Sequence, residues 1–413
     1  MSPTRDDLLA LAERALTGVS GEGQVTAWWE RQLTATPGGV VTTDGMSVEV
    51  AVVRDGRVGT AVTTETGDDA LTLAAEGAAR LAAHGPAATG ELPEPAPGAA
   101  HDGYDPAIER LDPADPASAL EPWSSWRAAV AKTAIVSTRG VRAYEERSFV
   151  DGRVRRHSDP GRSLELAATA ARLPDVDPTA LWTEAAALLG PAGDPTAVAA
   201  GEYAVVLGSW AVAEVLRRAA PALGGPQSPL TDKLGARVAA PAINLSDSPR
   251  FAGTLPRAYD AEGAPRQPLP LIQDGVAHRL AGPGTGHALQ PGAVSGTLPE
   301  HLVLVGGEAP DLEALCTPVE HGLFIPALSM HGSWVLGRRG AALAEGVRII
   351  RAGELAEPAT NLTVVFEPFE LLECAEALTA RQRTVPPPVQ RSARTASAIV
   401  APGGRFTGGL FVA

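Results

Sequence analysis

Residues 201–286 read GEYAVVLGSWAVAEVLRRAAPALGGPQ and then SPLTDKLGARVAAPAINLSDSPRFAGTLPRAYDAEGAPRQPLPLIQDGVAHRLAGPGTG. A short apolar strand over 204–207 runs through a glycine into an amphipathic helix over 209–223. After the helix, Gly, Pro, Asp and Ser recur every few residues. Each favours a turn for its own backbone reason, so the remainder reads as short β-segments and not as a second long helix. A strand, one helix and a run of short strands make this half of the chain β-rich.

Three pieces of the stretch, EYAVVLG followed by a helix, SPLTDKLGARVAAPAINLSD and YDAEGAPRQPLPLIQDGVAHRL, resemble in order and spacing the core of the TldD/PmbA family. In that family TldD and TldE pair as a zinc peptidase. The resemblance extends outward to RVGTAVTTE and VSTRGVRAYEER on one side and to PDLEALCTPVEHGLFIPAL and the glycine-joined strands after it on the other. It implies an H-E-x-x-x-H metal motif on this helix in the TldD subunit. Two His five apart sit about 140° apart around a helix, so the helix must deform for both to reach one zinc. The Glu beside the first His would act as general base on metal-bound water. Here the helix SWAVAEVLRRAAPAL carries no His. The resemblance is therefore to the TldE (PmbA) side: no metal or other cofactor in this chain, and zinc in a TldD-like partner carrying H-E-x-x-x-H. It also implies a Cys ligand near the C-terminus of TldD. Cys316 and Cys374 fall in predicted helices well before the end and do not match it.

The 413 residues are 45% hydrophobic and 20% charged, the profile of a globular protein of two or three domains. The net charge of −14 disfavours nucleic acid, whose binding needs clustered cations. Only Lys132 and Lys233 are lysines among 34 basic residues, a usage that reflects genome composition. Two cysteines make neither a disulfide framework nor a thiolate zinc cluster, and both are expected reduced and buried. The N-terminal MSPTRDDLLALAERAL is acidic and amphipathic, unlike a signal peptide, and no run of about 18 apolar residues occurs. The expectation is a cytoplasmic protein with no membrane partner.

The first 195 residues read as an α/β domain of hairpins and helices, and residues 196–413 as a β-rich domain, an α+β chain overall with its boundary near 193–201. A helix opens the chain, with Leu8, Leu9, Leu11, Ala12, Ala15 and Leu16 as its apolar face. A strand follows over 25–36, where Trp28 and Trp29 point to opposite faces. Met46, Val48, Val50 and Val52 alternate with polar residues, and Asp55-Gly56 marks a hairpin turn to 58–64. A helix over 70–84 is capped by Asp68 or Asp69. Residues 85–113, with six prolines, read as a linker or extended surface segment. Further helices are expected over 120–132, with Trp123 and Trp126 on one face, over 162–173, and over 178–189 capped by Asp177. A hairpin over 133–156 would turn at Asp151-Gly152. Near the end, a strand over 302–305, a helix over 366–378 and a strand over 398–401 are expected.

The candidate substrate-chamber residues are Asp260, Glu262, His301 and His331. Asp260 and Glu262 lie in DAEG, which the resemblance sets near the substrate path; turn nucleation by Asp and Gly is the alternative for both. His278, His287, His301, His321 and His331 concentrate in the second half, yet no pair has metal-ligand spacing. AGPGTGH at 281–287 lacks the Lys-Ser/Thr of a phosphate loop, and no G-x-S-x-G elbow occurs. The reading is a TldE-type subunit that shapes an enclosed chamber for unfolded peptides or peptide-like substrates. Its rival is a diverged member that processes or binds a small amide or peptide-like metabolite, as in natural-product biosynthesis; His301, where TldD relatives carry Asn, encourages it.

Overall fold

The computed structural model describes residues 2–88, 90–112, 125–158, 161–225, 228–251, 253–282, 299–330, 335 and 337–413. Trp123, His287, His331 and residues 120–124 lie outside them. The first half contains α1 (Arg5–Leu16), β1 (Glu22–Thr36), β2 (Gly39–Arg54), β3 (Arg57–Thr63), α2 (Asp68–Ala82) and the short α3 (Pro106–Glu109). It continues with β4 (Ser125–Ser137), β5 (Arg142–His157), β6 (Ser163–Ala170) and α4 (Pro178–Leu189). Its strands make one antiparallel sheet in the order β3-β2-β1-β4-β5-β6.

Local chemistry explains most of these elements. Thr4 and Asp7 form a reciprocal capping box at the start of α1. Asp55 and Gly56 turn β2 into β3 with φ of 51° and 69°, the left-handed pair a two-residue hairpin requires. Asp177 accepts from the Thr179 and Ala180 amides and caps α4, with Pro178 at its first position. The apolar faces of α1 and α2 cover Val25, Ala27, Val48, Val50 and Val52.

Two expected helices are strands. The Ala-rich run before Lys132 belongs to β4, and the residues after Arg162 form β6. Alanine favours helix in isolation, but β6 alternates into the sheet and β4 is buried on both faces, with Ala128, Ala129, Val130, Leu164 and Leu166 fully buried. Tertiary packing overrides propensity here. The β4–β5 turn falls at 138–141 with Gly140 at φ 90°, so Asp151-Gly152 is not a turn but the buried middle of β5.

The second half holds β7 (Gly201–Glu202), β8 (Ala204–Leu207), α5 (Ser209–Ala219), β9 (Leu245–Asp247), β10 (Leu269–Gln273), β11 (Val276–Ala277) and β12 (Leu302–Leu304). Then come α6 (Leu312–Cys316), β13 (His321–Ile325), β14 (Ala327–Met330), β15 (Gly340–Glu345), β16 (Arg348–Arg351), β17 (Glu354–Pro358) and β18 (Leu362–Phe366). The last elements are α7 (Pro368–Glu373), β19 (Ala375–Val385), β20 (Ile399–Phe406) and β21 (Leu410–Val412). The helix expected over 366–378 thus ends early and becomes β19. A ten-stranded sheet runs β11-β10-β9-β12-β20-β8-β13-β16-β17 with β19 on β20, and a five-stranded one runs β14-β15-β18-β21-β7. The fold is α+β and rich in strand, as expected. Helix α5 packs against β20, β14 and β19. Ten of its eleven residues are buried, so it is a core helix on every side and not an amphipathic surface one.

The halves are bound by polar contacts. Residues 90–112 form a strap fixed at several points. The Gly98 amide donates to Tyr259 Oη at 2.8 Å, His101 Nε2 lies 2.8 Å from Glu145 Oε1, and Arg31 donates to the Glu109 and Leu111 carbonyls. Arg147 on β5 donates five hydrogen bonds, all to backbone carbonyls of the second half: Leu255, Pro256, Ala393, Arg394 and Ala396, at 2.7–3.1 Å. Without that guanidinium, buried carbonyls on two separate loops lose their donor. Arg147→Met is expected to lower unfolding free energy by about 3–5 kcal/mol, and Arg147→Lys, with fewer donors in the wrong geometry, to recover little of it. Urea denaturation checks this; a loss under about 1 kcal/mol for the Met variant contradicts it.

Candidate functional site

Of the four sequence candidates, His331 lies outside the described residues, and Asp260, Glu262 and His301 are each placed by packing between the halves. Asp260 is buried, and its Oδ1 accepts from the Glu262 and Ala264 amides at 2.9 Å each. This is an Asx-type turn, the structural alternative for that residue. Glu262 is half-buried on the same turn. The turn is pressed against the first sheet. Tyr259 packs with Ile135, Val141 and Ala143, and Gln24 Nε2 donates to the Ala261 carbonyl at 2.7 Å. Gly263, at φ 82°, is so close that a Cβ would lie 2.7 Å from the Val141 side chain.

His301 is fully buried, and among the described residues neither ring nitrogen has a hydrogen-bond partner. Its amide donates to Asp247 Oδ1 at 2.9 Å, and its Nδ1 is 4.0 Å from the same oxygen. Burial, with Arg266 nearby, pushes the imidazole down to about 3 despite Asp247, so the ring is neutral and the contact is not an ion pair. Around it lies a buried charge cluster. Arg266 bridges Asp247 and Glu300, and Arg257 reaches Glu300 at 2.6 Å. Burial alone would raise Glu300, but Arg257 and Arg266 outweigh it and hold the carboxyl down at about 2. Likewise burial works against ionised Glu145, while the His101 hydrogen bond, Arg147 and Arg257 bring it below the usual range. Because His101 Nδ1 accepts from the Gly103 amide at 3.0 Å, Nε2 carries the proton that goes to Glu145.

A cleft lies elsewhere, beside α5. Its volume is about 570 Å³, and β6 with Ala171 forms one side, α4 another, and residues around Phe251 and Thr254 a third. Trp210 of α5 stands between it and a second cavity of about 290 Å³, which reaches Glu214, Arg217 and Glu345. The Trp210 indole N–H donates to the Ala167 carbonyl at 2.7 Å. Glu214 is 3% exposed and is held by Arg217 and by Arg218, whose Nε lies 2.8 Å from Oε1. Arg217 also donates to the Pro386 carbonyl at 2.9 Å.

Laying H-E-x-x-x-H on α5 with its Glu on Glu214 puts Ala213 and Arg218 at the two His positions. A guanidinium occupies the charge partnership that a metal would need, so these residues do not fit zinc. Among the described residues no group of three or more His, Cys, Asp or Glu side chains is gathered to hold a metal ion. Cys316 is buried, with its thiol raised to about 11 by burial, and Cys374 is partly exposed.

Sequence reading missed Trp210, Glu214 and the edge of β6. The signal for Glu214 was legible: one acid followed by Arg at i+3 and i+4 in an apolar helix. The edge was hidden by the helix reading of β6.

The fold is a strand-rich α+β architecture built around one buried central helix. The model of the PmbA/TldA metallopeptidase C-terminal domain matches residues 200–408, and the chain belongs to that TldD/PmbA family. Its fold is that of TldE from Thermococcus kodakarensis, at a TM-score of 0.79 and 18% identity over 98% of this chain and 99% of that one. It is equally similar to a protein from Thermotoga maritima described as a candidate modulator of a DNA gyrase, at 0.78 and 20% over 99% of both chains. A Bacteroides thetaiotaomicron protein of the same description follows at 0.77 and 17% over 98% of both. No curated protein matches significantly.

One carboxylate in this region gives a pH test. Asp151 is 5% exposed, and among the described residues its Oδ1 has no hydrogen-bond partner. Burial pushes it up to about 6 against the pull of Arg153 and Arg127. A raised acid is stabilising in the fold below its ordinary value near 3.9, and that contribution is lost as pH rises through about 6. Asp151→Asn is therefore expected to gain on wild type by about 2–3 kcal/mol between pH 4 and pH 8. Equal pH dependence of the two melting curves contradicts this.

Proposed function

We propose that this chain is the TldE-type, non-metal-binding subunit of a two-subunit TldD/TldE-type zinc peptidase that acts on unfolded peptides or peptide-like substrates in the cytoplasm. Zinc and its activated water belong to a TldD-like partner carrying H-E-x-x-x-H, and this chain contributes a wall of the enclosed chamber. The observation that carries the reading is Glu214. The one carboxylate of the central helix, where such a peptidase needs its base, is buried and neutralised by Arg217 and Arg218. A carboxylate so paired has both oxygens engaged by guanidinium groups and is fixed away from any water it would have to activate. Asp260 and Glu262 then serve the chamber through the shape of their turn, and His301 by packing beneath it.

A second reading keeps the family and changes the ligand. The cleft of about 570 Å³ falls in the size range of small-molecule sites, as a member specialised for a small amide or peptide-like metabolite would require.

The purified chain is expected to cleave neither an unfolded protein nor short peptides when zinc is added. It is expected to co-purify with a co-expressed H-E-x-x-x-H subunit and to acquire chelator-sensitive activity with it. Cleavage by the isolated chain, or near-stoichiometric zinc in it by elemental analysis, overturns the proposal. Light scattering that shows an unchanged monomer beside the co-expressed partner overturns it too.

A further inference from the structure

Residues 386–398 join β19 to β20 and cross one face of the first sheet, where Ala393, Ala396 and Ala398 pack on Ala129, Ala131 and Phe149. Arginines hold the backbone of this loop. Arg217 donates to the Pro386 carbonyl at 2.9 Å, Arg153 to that of Pro387 at 2.7 Å and Arg127 to that of Gln390, while Arg147 takes Ala393, Arg394 and Ala396. The far part has a second anchor in Glu30, which accepts from Ser392 Oγ and from the Ala393 amide at 2.7 Å each. Among the described residues, the backbone of 386–391 is hydrogen-bonded only by Arg217, Arg153 and Arg127.

Asp151 sits between two of these arginines. It is directly opposite Arg127 in the β4–β5 register and two residues before Arg153 on the same face of β5. Asp151 Oδ1 and Arg127 Nε are both buried without a hydrogen-bond partner among the described residues. Two guanidinium groups therefore flank a carboxyl and reach past it to carbonyls of the loop. The charged groups that face Asp151 are Arg127 on β4, Arg153 on β5 and Glu165 on β6. Thr169, opposite it on β6, gives its hydroxyl to the Val150 carbonyl at 2.8 Å. The loop adds Arg391 and Arg394 and no acid. Burial pushes the Asp151 carboxyl up to about 6, so in mild acid it is neutral and needs no cation. Once ionised, a buried carboxylate requires a bonded partner, and a guanidinium binds carboxylate more strongly than it binds a carbonyl. Arg127 Nε does not reach the acid where it stands. The pair forms only if that guanidinium swings down and leaves the Gln390 carbonyl.

We propose that residues 386–391 are a latch that ionisation of Asp151 releases, by drawing Arg127 and Arg153 off the Gln390 and Pro387 carbonyls. The freed segment is the wall of a cavity. Pro386 and Pro388, with Val385 before them, line the space of about 290 Å³ that reaches Glu214 and Arg217 beside Trp210. Arg147 and Glu30 keep residues 392–398 in place in both states, so the movement is confined to the end beside the cavity. The closed form carries the neutral acid and the open form the ionised one. Closure is therefore favoured below the raised value near 6 and lost as pH rises through it. The latch controls access to the cavity whatever ligand the cavity takes, so it stands apart from the subunit role proposed above.

The readout is a nitroxide at Val389, an exposed position of the latch, introduced as Val389→Cys in a Cys374→Ser chain. A second label at Val62→Cys, exposed on β3, reports on the sheet as a whole. Electron paramagnetic resonance line shapes of the full chain are followed from pH 5 to pH 8. The expected result is a correlation time at 389 that shortens at least about twofold across that range, with the label at 62 unchanged. In Asp151→Asn the label at 389 is expected to keep its pH 5 line shape throughout. Glu30 is also raised by burial, and because that variant retains Glu30, a response that comes from Glu30 persists in it. A wild-type line shape at 389 that does not change with pH overturns the proposal, and that arm needs no substitution at Asp151. The same change in Asp151→Asn overturns it, as does a change at 62 in step with 389, which would mark loosening of the whole fold.

Discussion

The guanidinium of Arg147 ties the two halves of this molecule together. It leaves the middle of β5 and satisfies carbonyls on two loops, 255–256 and 393–396, that are far apart in sequence and have no sheet to pair with. Burial drags the group down to about 10, yet it stays charged at neutral pH. One fixed planar cation with five donors does what a strand ladder would do elsewhere, and only arginine has that geometry. The charges behind it, Glu145, Arg257, Arg266, Glu300 and Asp247, extend the same joint. Their attraction is offset by desolvation, so they contribute register more than net stability.

This joint decides which surfaces are free to act. The acidic turn around Asp260 is consumed by docking: its carboxylate binds its own backbone, and Gly263 sits against Val141. The strap of residues 90–112 closes over the same face. At the end of the first sheet, no strand among the described residues pairs with the outer edge of β6, and Trp210 reaches across to it. The central helix presents an indole hydrogen bond and a carboxylate paired with two arginines. The proposal that this chain shapes a chamber whose chemistry a partner supplies rests on that arrangement.

Much of the framework was legible in the residues. Alternation at Met46–Val53, the Asp55-Gly56 turn, the Asp177-Pro178 cap and the strand–glycine–helix of 204–219 each carry their information within one turn or one pleat. The missing His on α5 was equally plain, because a motif on one helix needs no tertiary knowledge. Family membership rested on the same local pieces.

The rest depended on contacts between distant residues. The alanine-rich runs that became β4 and β6 have helix propensity worth only tenths of a kcal/mol per residue, less than burial between neighbouring strands supplies. Glu214 sits in a helix that reads as amphipathic, and only the fold encloses it with Arg217 and Arg218. His301 reads as a candidate chamber residue, and only the fold, by burial and the nearby Arg266, makes it a neutral buried ring. By itself the sequence determined the local elements and the absence of a metal motif, since turns, caps and spacings are short-range. Only the tertiary structure decided which charges were neutralised and which strands pair, since burial and strand pairing are properties of the whole packed chain.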